Sequence, residues 1–273
     1  MQRKPWSLVG LAVLAVATVV LVVLSFLNVR PVDGAAGPSG AVSVAEAVVT
    51  EPSSAEPAPR RSSLANIHAQ LAGDRPTKIL VLGDATGLDD GVSGETRWVT
   101  LWAQELAARR PVTLAVRGSG GEYAAARRLG TGTGVPIEIL NASDRPGRIA
   151  TATADADSLV PEDVDLVILS FGHSEDIAQL AGELDAFRAA LPVSAMVLVM
   201  AQNPQQGAGA AGQRARVRAT LEWAQQNDLP FIDVFEAFRE APEPLVDLLG
   251  PDRINPNDRG SEVWRDAVVE ALG

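Results

Sequence analysis

The chain has 273 residues and a formal net charge of −11 at neutral pH, and it contains no cysteine. The lack of cysteine excludes disulfides, thiolate catalysis and cysteine-based metal sites. The acidic balance argues against nucleic acid as a partner, because phosphate backbones are bound mainly by Lys and Arg. A mechanism that needs a histidine base must use one of two side chains, His68 or His173.

The first 27 residues have the pattern of a membrane anchor. Residues 7–27 carry no charge and follow Arg3 and Lys4. A helix of this length spans roughly 30 Å, the thickness of a bilayer core. Because basic residues favour the cytoplasmic side, we predict a cytoplasmic segment at 1–6, a signal-anchor at 7–27 and a single-pass protein with an extracytoplasmic C-terminal domain. The alternative is a secreted form, released by cleavage within "DGAAG" at 33–37.

Residues 28–63 are rich in Pro, Ala, Ser and Glu and show no hydrophobic periodicity. A segment of this composition cannot bury a core, so it is predicted to be a disordered linker. The folded domain is therefore expected at residues 64–273.

In residues 64–273 short apolar runs alternate with amphipathic segments. Strands are predicted at 78–82, 112–116, 136–140, 165–171, 196–200 and 231–234. Helices are predicted at 63–71, 97–109, 177–191, 214–226 and 261–272, the last with Ser261 as its N-cap. This alternation indicates parallel strands with helical crossovers, and hence a three-layer α/β/α sandwich with a mainly parallel sheet. The Gly-rich residues 111–134 fit the alternation poorly and are expected at the edge of the sheet.

Four segments lie where open α/β sheets bind ligands, beyond the carboxyl ends of the strands. In chain order they are "GDATG" (83–87), "NASDRPG" (141–147), "FGHSED" (171–176) and "DRINPNDRG" (252–260). Their order and spacing resemble the sequence blocks of the SGNH/GDSL hydrolase family, especially bacterial members whose first block reads Gly-Asp-Ser-Thr-Gly. The resemblance covers roughly residues 77–273. It implies the flavodoxin-like fold of that family, whose members are esterases, lipases and carbohydrate O-acyl hydrolases.

The resemblance also assigns roles to individual positions. It places Ala85 at the nucleophile, where the family has Ser, and Asn255 at the base, where the family has His. Asp252 matches the acid that orients the base. Gly147 and Ser174 take the oxyanion-hole positions, the second of which is Asn in the family.

These departures remove the chemistry of the triad. Ala85 has no oxygen with which to attack a carbonyl, and the amide of Asn255 is not basic. Nucleophile and base act as a unit, so losing both removes nearly all of the triad's contribution. The sequence therefore predicts a pseudoenzyme that binds a cell-envelope glycan, an acylated polymer or a partner protein. No cofactor is expected, and the oligomeric state is left open.

Two other hypotheses stay open. The first is an active ester hydrolase or acyltransferase in which Thr86, or a water activated by His173, replaces the lost groups. The second is a scaffold with an empty pocket.

Asp84 is expected to fix its loop by accepting backbone N–H bonds, and Asn141 and Gly172 are further pocket candidates. No metal site is predicted, because the spacing of Asp84, His173 and Glu175 is not diagnostic.

Overall fold

The computed structural model of the chain describes residues 62–89 and 96–273. The strands are Thr77–Gly83 (β1), Val112–Val116 (β2), Arg127–Leu129 (β3), Ile137–Asn141 (β4), Leu166–Ser170 (β5), Met196–Ala201 (β6) and Phe231–Asp233 (β7). The α-helices are Leu64–Ala72 (α1), Trp98–Ala107 (α2), Ile149–Ala154 (α3), Ala156–Leu159 (α4), Leu180–Ala189 (α5), Ala210–Gln226 (α6), Val234–Glu240 (α7), Leu245–Leu248 (α8) and Asp258–Leu272 (α9). A short 3-10 turn, Gly207–Gly209, precedes α6.

The strands form one sheet in the order β3-β2-β4-β1-β5-β6-β7. All neighbours are parallel except β3, which runs antiparallel to β2 at the edge. The central strand β1 pairs with β4 on one side and β5 on the other, so that Leu80 lies opposite both Leu140 and Val167. This arrangement confirms the predicted mainly parallel α/β sheet.

Helices cover both faces of the sheet. Successive side chains of β1 point to opposite faces, so β1 contributes to two hydrophobic cores. Ile79 and Val81 pack in one core with residues of α2 and α9, where Trp98 and Trp264 stack with ring centroids 5.5 Å apart. Leu80 and Leu82 pack in a second core with residues of α5 and α6. Strands buried on both faces read as continuous apolar runs, which is why β1, β5 and β6 were visible in the sequence.

The start of the last helix differs from the prediction. The helix begins at Asp258, and Asn257 is its N-cap, with the side-chain oxygen accepting from the Gly260 N–H at 3.0 Å. Ser261, the predicted cap, lies buried inside the first turn. Asn and Ser cap helices about equally well. Asn257 is also held by its side-chain amide, which donates to the Asp247 carbonyl at 2.9 Å, and by its backbone N–H, which donates to the Leu248 carbonyl at 3.1 Å.

The strand β3 and the short helices α3, α4, α7 and α8 were not predicted from the sequence. Each has between three and seven residues, too few to show a hydrophobic period. The edge strand β3 lies within the Gly-rich excursion that was expected at the edge of the sheet.

The predicted segments 1–6 and 7–27 lie outside the described residues, as does nearly all of the linker. Its last two residues are described and contact the fold. The Ser62 hydroxyl accepts from the Val197 N–H at 2.9 Å, and Ser63 caps α1. Among the described residues there is no helix with the length and apolar character needed to cross a bilayer.

Candidate functional site

The topology brings three of the predicted segments together. β4, β1 and β5 are adjacent parallel strands, so the loops that follow them leave the same edge of the sheet side by side. They are loop I (83–87), loop II (141–147) and loop III (171–176). The fourth segment, residues 252–260, leads into α9. It is named loop V because it matches the fifth sequence block of the family that the chain resembles.

Asp84 is the buried centre of this edge. Its Oδ1 accepts from the Thr86 N–H at 3.1 Å and from the Thr86 hydroxyl at 2.7 Å. Its Oδ2 accepts from the His173 N–H and lies 3.3 Å from His173 Nδ1. Burial opposes ionisation, but the bonds and charge from His173 and the bonds from Thr86 outweigh it and hold the pKa of Asp84 below its usual value. The carboxylate therefore ties loop I to loop III.

Ala85 and Thr86 face different surroundings. Ala85 is partly exposed, whereas Thr86 is 1% exposed. The Thr86 hydroxyl donates to Asp84 and also lies 3.2 Å from Oε1 of Gln202, at the end of β6. This hydroxyl is enclosed beneath the loop, so it does not replace a serine hydroxyl at position 85.

Loop II packs directly on loop I. Asn141 is completely buried, and its Nδ2 donates to the Gly87 carbonyl at 2.8 Å while its Oδ1 accepts from the Ser143 N–H at 3.1 Å. Gly147 adopts a φ of 61°, and a Cβ there would overlap the Asp84 backbone. Position 147 therefore requires glycine on both conformational and steric grounds.

The three positions that the resemblance assigns to the oxyanion hole differ in how their donors are used. Within the described residues, the backbone N–H groups of Ala85 and Gly147 donate to no protein acceptor. The Ser174 hydroxyl, by contrast, donates to the Pro146 carbonyl at 3.1 Å. Two of the three implied donors thus have no protein acceptor in this part of the chain, and the third, the Ser174 hydroxyl, links loop III to loop II.

His173 is held with one ring nitrogen engaged. Its side chain is 7% exposed. An ionised carboxylate only accepts hydrogen bonds, so the proton in the contact with Asp84 lies on Nδ1. Nε2 is buried and has no hydrogen-bond partner among the described residues. The enclosed ring serves mainly to join loops I and III through Asp84.

In loop V the two remaining positions of the implied triad pair with each other. Asn255 Nδ2 donates to Asp252 Oδ2 at 2.5 Å, and the backbone N–H groups of Ile254 and Asn255 both donate to Oδ1 at 2.9 Å. Partial burial opposes ionisation of Asp252, but these bonds outweigh it and lower its pKa. Asn255 therefore occupies the place at which a histidine would be oriented.

Loop V is held in place by hydrogen bonds from residues that were not predicted as part of the site. Asn203, directly after Gln202, is completely buried and donates to the Ile254 carbonyl at 2.8 Å. The Arg97 guanidinium donates to the Pro256 carbonyl. Gln202 also donates to the Ser170 carbonyl and contacts Thr86. The sequence did contain a signal for Gln202 and Asn203: two consecutive side-chain amides in "MAQNP", directly after a predicted strand, indicate residues at the ligand-binding edge of the sheet.

Gly172 completes the contact between loop III and β6. Its φ is 146°, and a Cβ there would lie 3.2 Å from Gln202 Cγ. The structure therefore brings loops I, II and III and the end of β6 into direct contact. In the described part of the chain, no group of three or more His, Asp or Glu side chains is arranged to hold a metal ion.

A family sequence model described as the GDSL-like lipase/acylhydrolase family matches residues 81–263, which span all four loops. The chain belongs to this family. No curated protein sequence matches the chain. The family membership agrees with the fold, and the roles that the resemblance assigns to positions 85 and 255 stay a prediction.

Solved structures with the same fold include several esterases. The lipase/acylhydrolase from Enterococcus faecalis aligns with a TM-score of 0.54 and 17% identity over 72% of this chain and 95% of that chain. A variant of Axe2, an acetyl xylan esterase from Geobacillus stearothermophilus, gives 0.54 and 16% over 72% and 94%. LAE5, an α/β hydrolase enzyme from the metagenome of Lake Arreo, gives 0.53 and 16% over 72% and 95%. At these identities the similarity concerns the fold.

A second buried carboxyl lies behind the site, on loop III. Glu175 is 5% exposed, and its Oε1 accepts from the Ile149 N–H at the start of α3, at 3.0 Å. Burial, together with the charge of Glu183 and a hydrogen bond to its carboxyl, raises the pKa of Glu175 to about 7, although the Ile149 N–H and Arg148 act in the opposite direction. Glu175 therefore connects loop III with α3 and α5.

Replacing Glu175 by Gln is expected to flatten the dependence of stability on pH. The folded protein holds a proton on Glu175 that the unfolded chain releases at about pH 4.5, so stability falls as pH rises from about 4.5 through 7. Gln is neutral throughout and keeps the amide oxygen for Ile149. Urea unfolding at pH 5 and pH 8 should show a smaller loss of unfolding free energy in Glu175→Gln than in the unaltered chain. The exposed control Glu240→Gln should change nothing, and parallel curves for Glu175→Gln and the unaltered chain would contradict the assignment.

Proposed function

We propose that this chain is a membrane-anchored, extracytoplasmic member of the GDSL-like family that binds an acylated glycan of the cell envelope and does not hydrolyse it. The observation that carries the proposal is the pairing of Asn255 with Asp252 in a site whose nucleophile position is Ala85. The group that orients a base is present and engaged, but neither a base nor a nucleophile accompanies it. Acyl transfer by the family's covalent route needs both.

Support for binding comes from the parts of the site that are kept. The Ala85 and Gly147 amides have no acceptor among the described residues, and N–H groups of this kind bind carbonyl oxygens. The glycine at position 147 is required by its contact with Asp84. Axe2, which shares the fold, is an acetyl xylan esterase, and we extend only its class of ligand, an acylated polysaccharide, to this chain. The placement outside the cytoplasm rests on the sequence pattern of residues 1–27.

The proposal is tested with the full chain, purified in detergent because residues 7–27 are predicted to enter a membrane. We expect no hydrolysis of 4-nitrophenyl acetate or acetylated xylan above the buffer rate, and measurable binding of acetylated xylo-oligosaccharides by titration calorimetry. Hydrolysis that is lost in Thr86→Val or in His173→Gln would overturn the inactive assignment. These two variants keep the size of the side chain while removing the hydroxyl or the imidazole.

A second function, ester hydrolysis or acyl transfer by a rearranged site, is favoured by one observation, the contact between Asp84 and His173 Nδ1. An aspartate that holds a histidine in this way is part of many acid–base sites. The Thr86 hydroxyl, however, donates to Asp84, and Nε2 of His173 is enclosed. Labelling of Thr86 by a fluorophosphonate probe would support this second function. The scaffold hypothesis predicts neither labelling nor glycan binding.

A further inference from the structure

A groove of about 470 Å³ lies between the start of α6, helix α7 and the chain that leads into α8. The described residues that line it all lie outside loops I, II, III and V. Clefts that bind ligands typically have volumes of about 300–1,000 Å³. The groove is therefore large enough to be a binding surface of its own, separate from the candidate site.

The floor of the groove is apolar because of the sequence of α7. Phe235 and Phe238 are three residues apart and therefore lie on one face of the helix. Phe238 is buried and packs edge-on against Trp264, with ring centroids 6.3 Å apart. Phe235 and Leu245, which also line the groove, are only partly buried. These two side chains offer apolar surface that the fold leaves accessible.

Apolar surface continues beyond the groove. Four large apolar side chains are exposed in the described residues, and two of them are close to groove residues. Val246 directly follows Leu245, and the Ile254 carbonyl accepts from Asn203, which directly precedes the groove residue Pro204. Clustered exposed apolar residues are typical of interaction sites, whereas scattered ones are not. This clustering favours a protein partner over a small soluble ligand.

Three charged side chains of the described residues line the groove, and two of them are already paired. Arg239 Nη1 lies 2.7 Å from Glu236 Oε2. Glu243 Oε1 lies 2.7 Å from Arg259 Nη2. The third, Arg214 at the start of α6, is exposed and has no hydrogen bond or ion pair within the described part of the chain. Arg214 is therefore available to an acidic group of a ligand.

The charge of the whole chain does not prevent an acidic group from binding here. The net charge is −11, but salt at physiological ionic strength screens charges that are more than about 8 Å apart. The guanidinium of Arg214 can form two parallel hydrogen bonds with one carboxylate, which makes this pairing strong and specific. A ligand that is complementary to the groove thus combines an apolar side chain with a carboxylate.

We propose that this groove is a docking surface for a partner protein, and that it binds a short segment in which a large apolar side chain is close to Asp or Glu. The apolar side chain packs on Phe235 and Leu245, and the carboxylate binds Arg214. One wall of the groove continues into Gln206, whose N–H donates to the Arg253 carbonyl at 2.9 Å, so the docked segment lies beside loop V. The inference does not depend on what the candidate site binds.

A phage-displayed library of random heptapeptides, panned against the full chain in detergent, tests the assignment. We expect enrichment of sequences that combine Leu, Ile, Phe or Trp with Asp or Glu. Panning against Arg214→Glu should replace the acidic residues by Lys or Arg, because the free charge of the groove is reversed. Acidic sequences enriched by both proteins, non-acidic sequences enriched by the unaltered chain, or no enrichment would each overturn the inference.

An enriched peptide labelled with fluorescein then gives affinities by fluorescence anisotropy. Arg214→Gln should weaken binding about tenfold, as expected for one lost charge-assisted bond, whereas Arg218→Gln, on the same helix and paired with Glu222, should change it less than twofold. Ala210→Glu should also weaken binding, because it places a carboxylate in the groove. Ala211→Glu, at an exposed position outside the groove, is the matched control. Equal effects of the two glutamates would contradict the assignment.

Other occupants of the groove give different results. A concentration-dependent dimer in sedimentation that is lost in Ala210→Glu would show that a second copy of the chain occupies the groove, and would overturn the assignment to a partner. Displacement of the peptide by acetylated xylo-oligosaccharides would make the groove part of a glycan site and would also overturn it. Thermal unfolding verifies that each variant is folded, which is expected for Ala210→Glu because acidic residues stabilise the start of a helix.

Discussion

A chain that carries both Ala85→Ser and Asn255→His is expected to hydrolyse 4-nitrophenyl acetate about tenfold or more above the unaltered chain. The reason is geometric. Asn255 already donates to Asp252 Oδ2 at 2.5 Å, so the Nδ1–H of a histidine at this position has an ionised acceptor that orients it. The Ala85 and Gly147 amides have no acceptor in the described part of the chain, so neither N–H is already occupied by a protein carbonyl. Initial rates with the purified full chain measure the effect.

The two single variants are the matched controls for this restoration. Nucleophile and base work as a unit, so Ala85→Ser alone and Asn255→His alone should remain at the rate of the unaltered chain. Adding Asp252→Asn to the double variant should lower its rate again, because the imidazole loses the carboxylate that orients it. Equal rates in Ala85→Ser and in the double variant would show that position 255 does not act as the base.

A further substitution addresses the oxyanion hole. The Ser174 hydroxyl donates its proton to the Pro146 carbonyl, so the double variant lacks one of the three implied donors to an oxyanion. Ser174→Asn in that background should increase the rate, since one such donor is typically worth about 3 kcal/mol of transition-state stabilisation. The increase is smaller if the amide takes over the bond to Pro146.

His173→Ala is expected to lower the free energy of unfolding by about 3 kcal/mol. The pKa of Asp84 lies below its usual value, so this fully buried group is a carboxylate in the folded state. Removal of the imidazole leaves its Oδ2 with the His173 backbone N–H alone. A buried charge that has lost its partner is costly, which is the origin of the effect. Urea unfolding at pH 7 measures it.

The second histidine of the chain supplies the control. His68 is exposed, and its Nδ1 lies 2.8 Å from the Leu272 carbonyl, so His68→Ala should cost about 1 kcal/mol or less. Replacing Asp84 by Asn in the His173→Ala background should recover part of the lost stability, because the buried charge is removed. Equal losses in His68→Ala and His173→Ala would contradict the assignment of His173 as the partner of an ionised Asp84.

The parts of the fold that sequence analysis predicted are those with a local signal. The buried strands β1, β5 and β6 are continuous apolar runs, and the long helices α2 and α6 show a helical period. The N-cap of α9 was assigned wrongly because Asn257 and Ser261 are both good caps. In the structure Asn257 is held by the carbonyls of Asp247 and Leu248, and these contacts are outside the reach of a local pattern.

In the site, the sequence predicted that loops I, II and III leave the same edge of the sheet, but not how their side chains are used. Asp84 bonds with His173 across 89 residues, and Thr86 lies against Gln202 across 116. Glu175 accepts from Ile149 across 26 residues. No periodicity or spacing connects such pairs, because packing of separate strands and helices brings them together.

The amino-acid sequence by itself determined the α/β sandwich, the four candidate loops and the lack of a hydroxyl at position 85 and of an imidazole at position 255. Those conclusions depend on apolar patterns and on which atoms a side chain carries, and neither changes on folding. Only the tertiary structure decided that the Thr86 hydroxyl is enclosed, that Ser174 bonds to loop II and that Asn255 pairs with Asp252. Burial and hydrogen-bond partners are properties of the packed sheet edge, so they are determined when the strand ends meet.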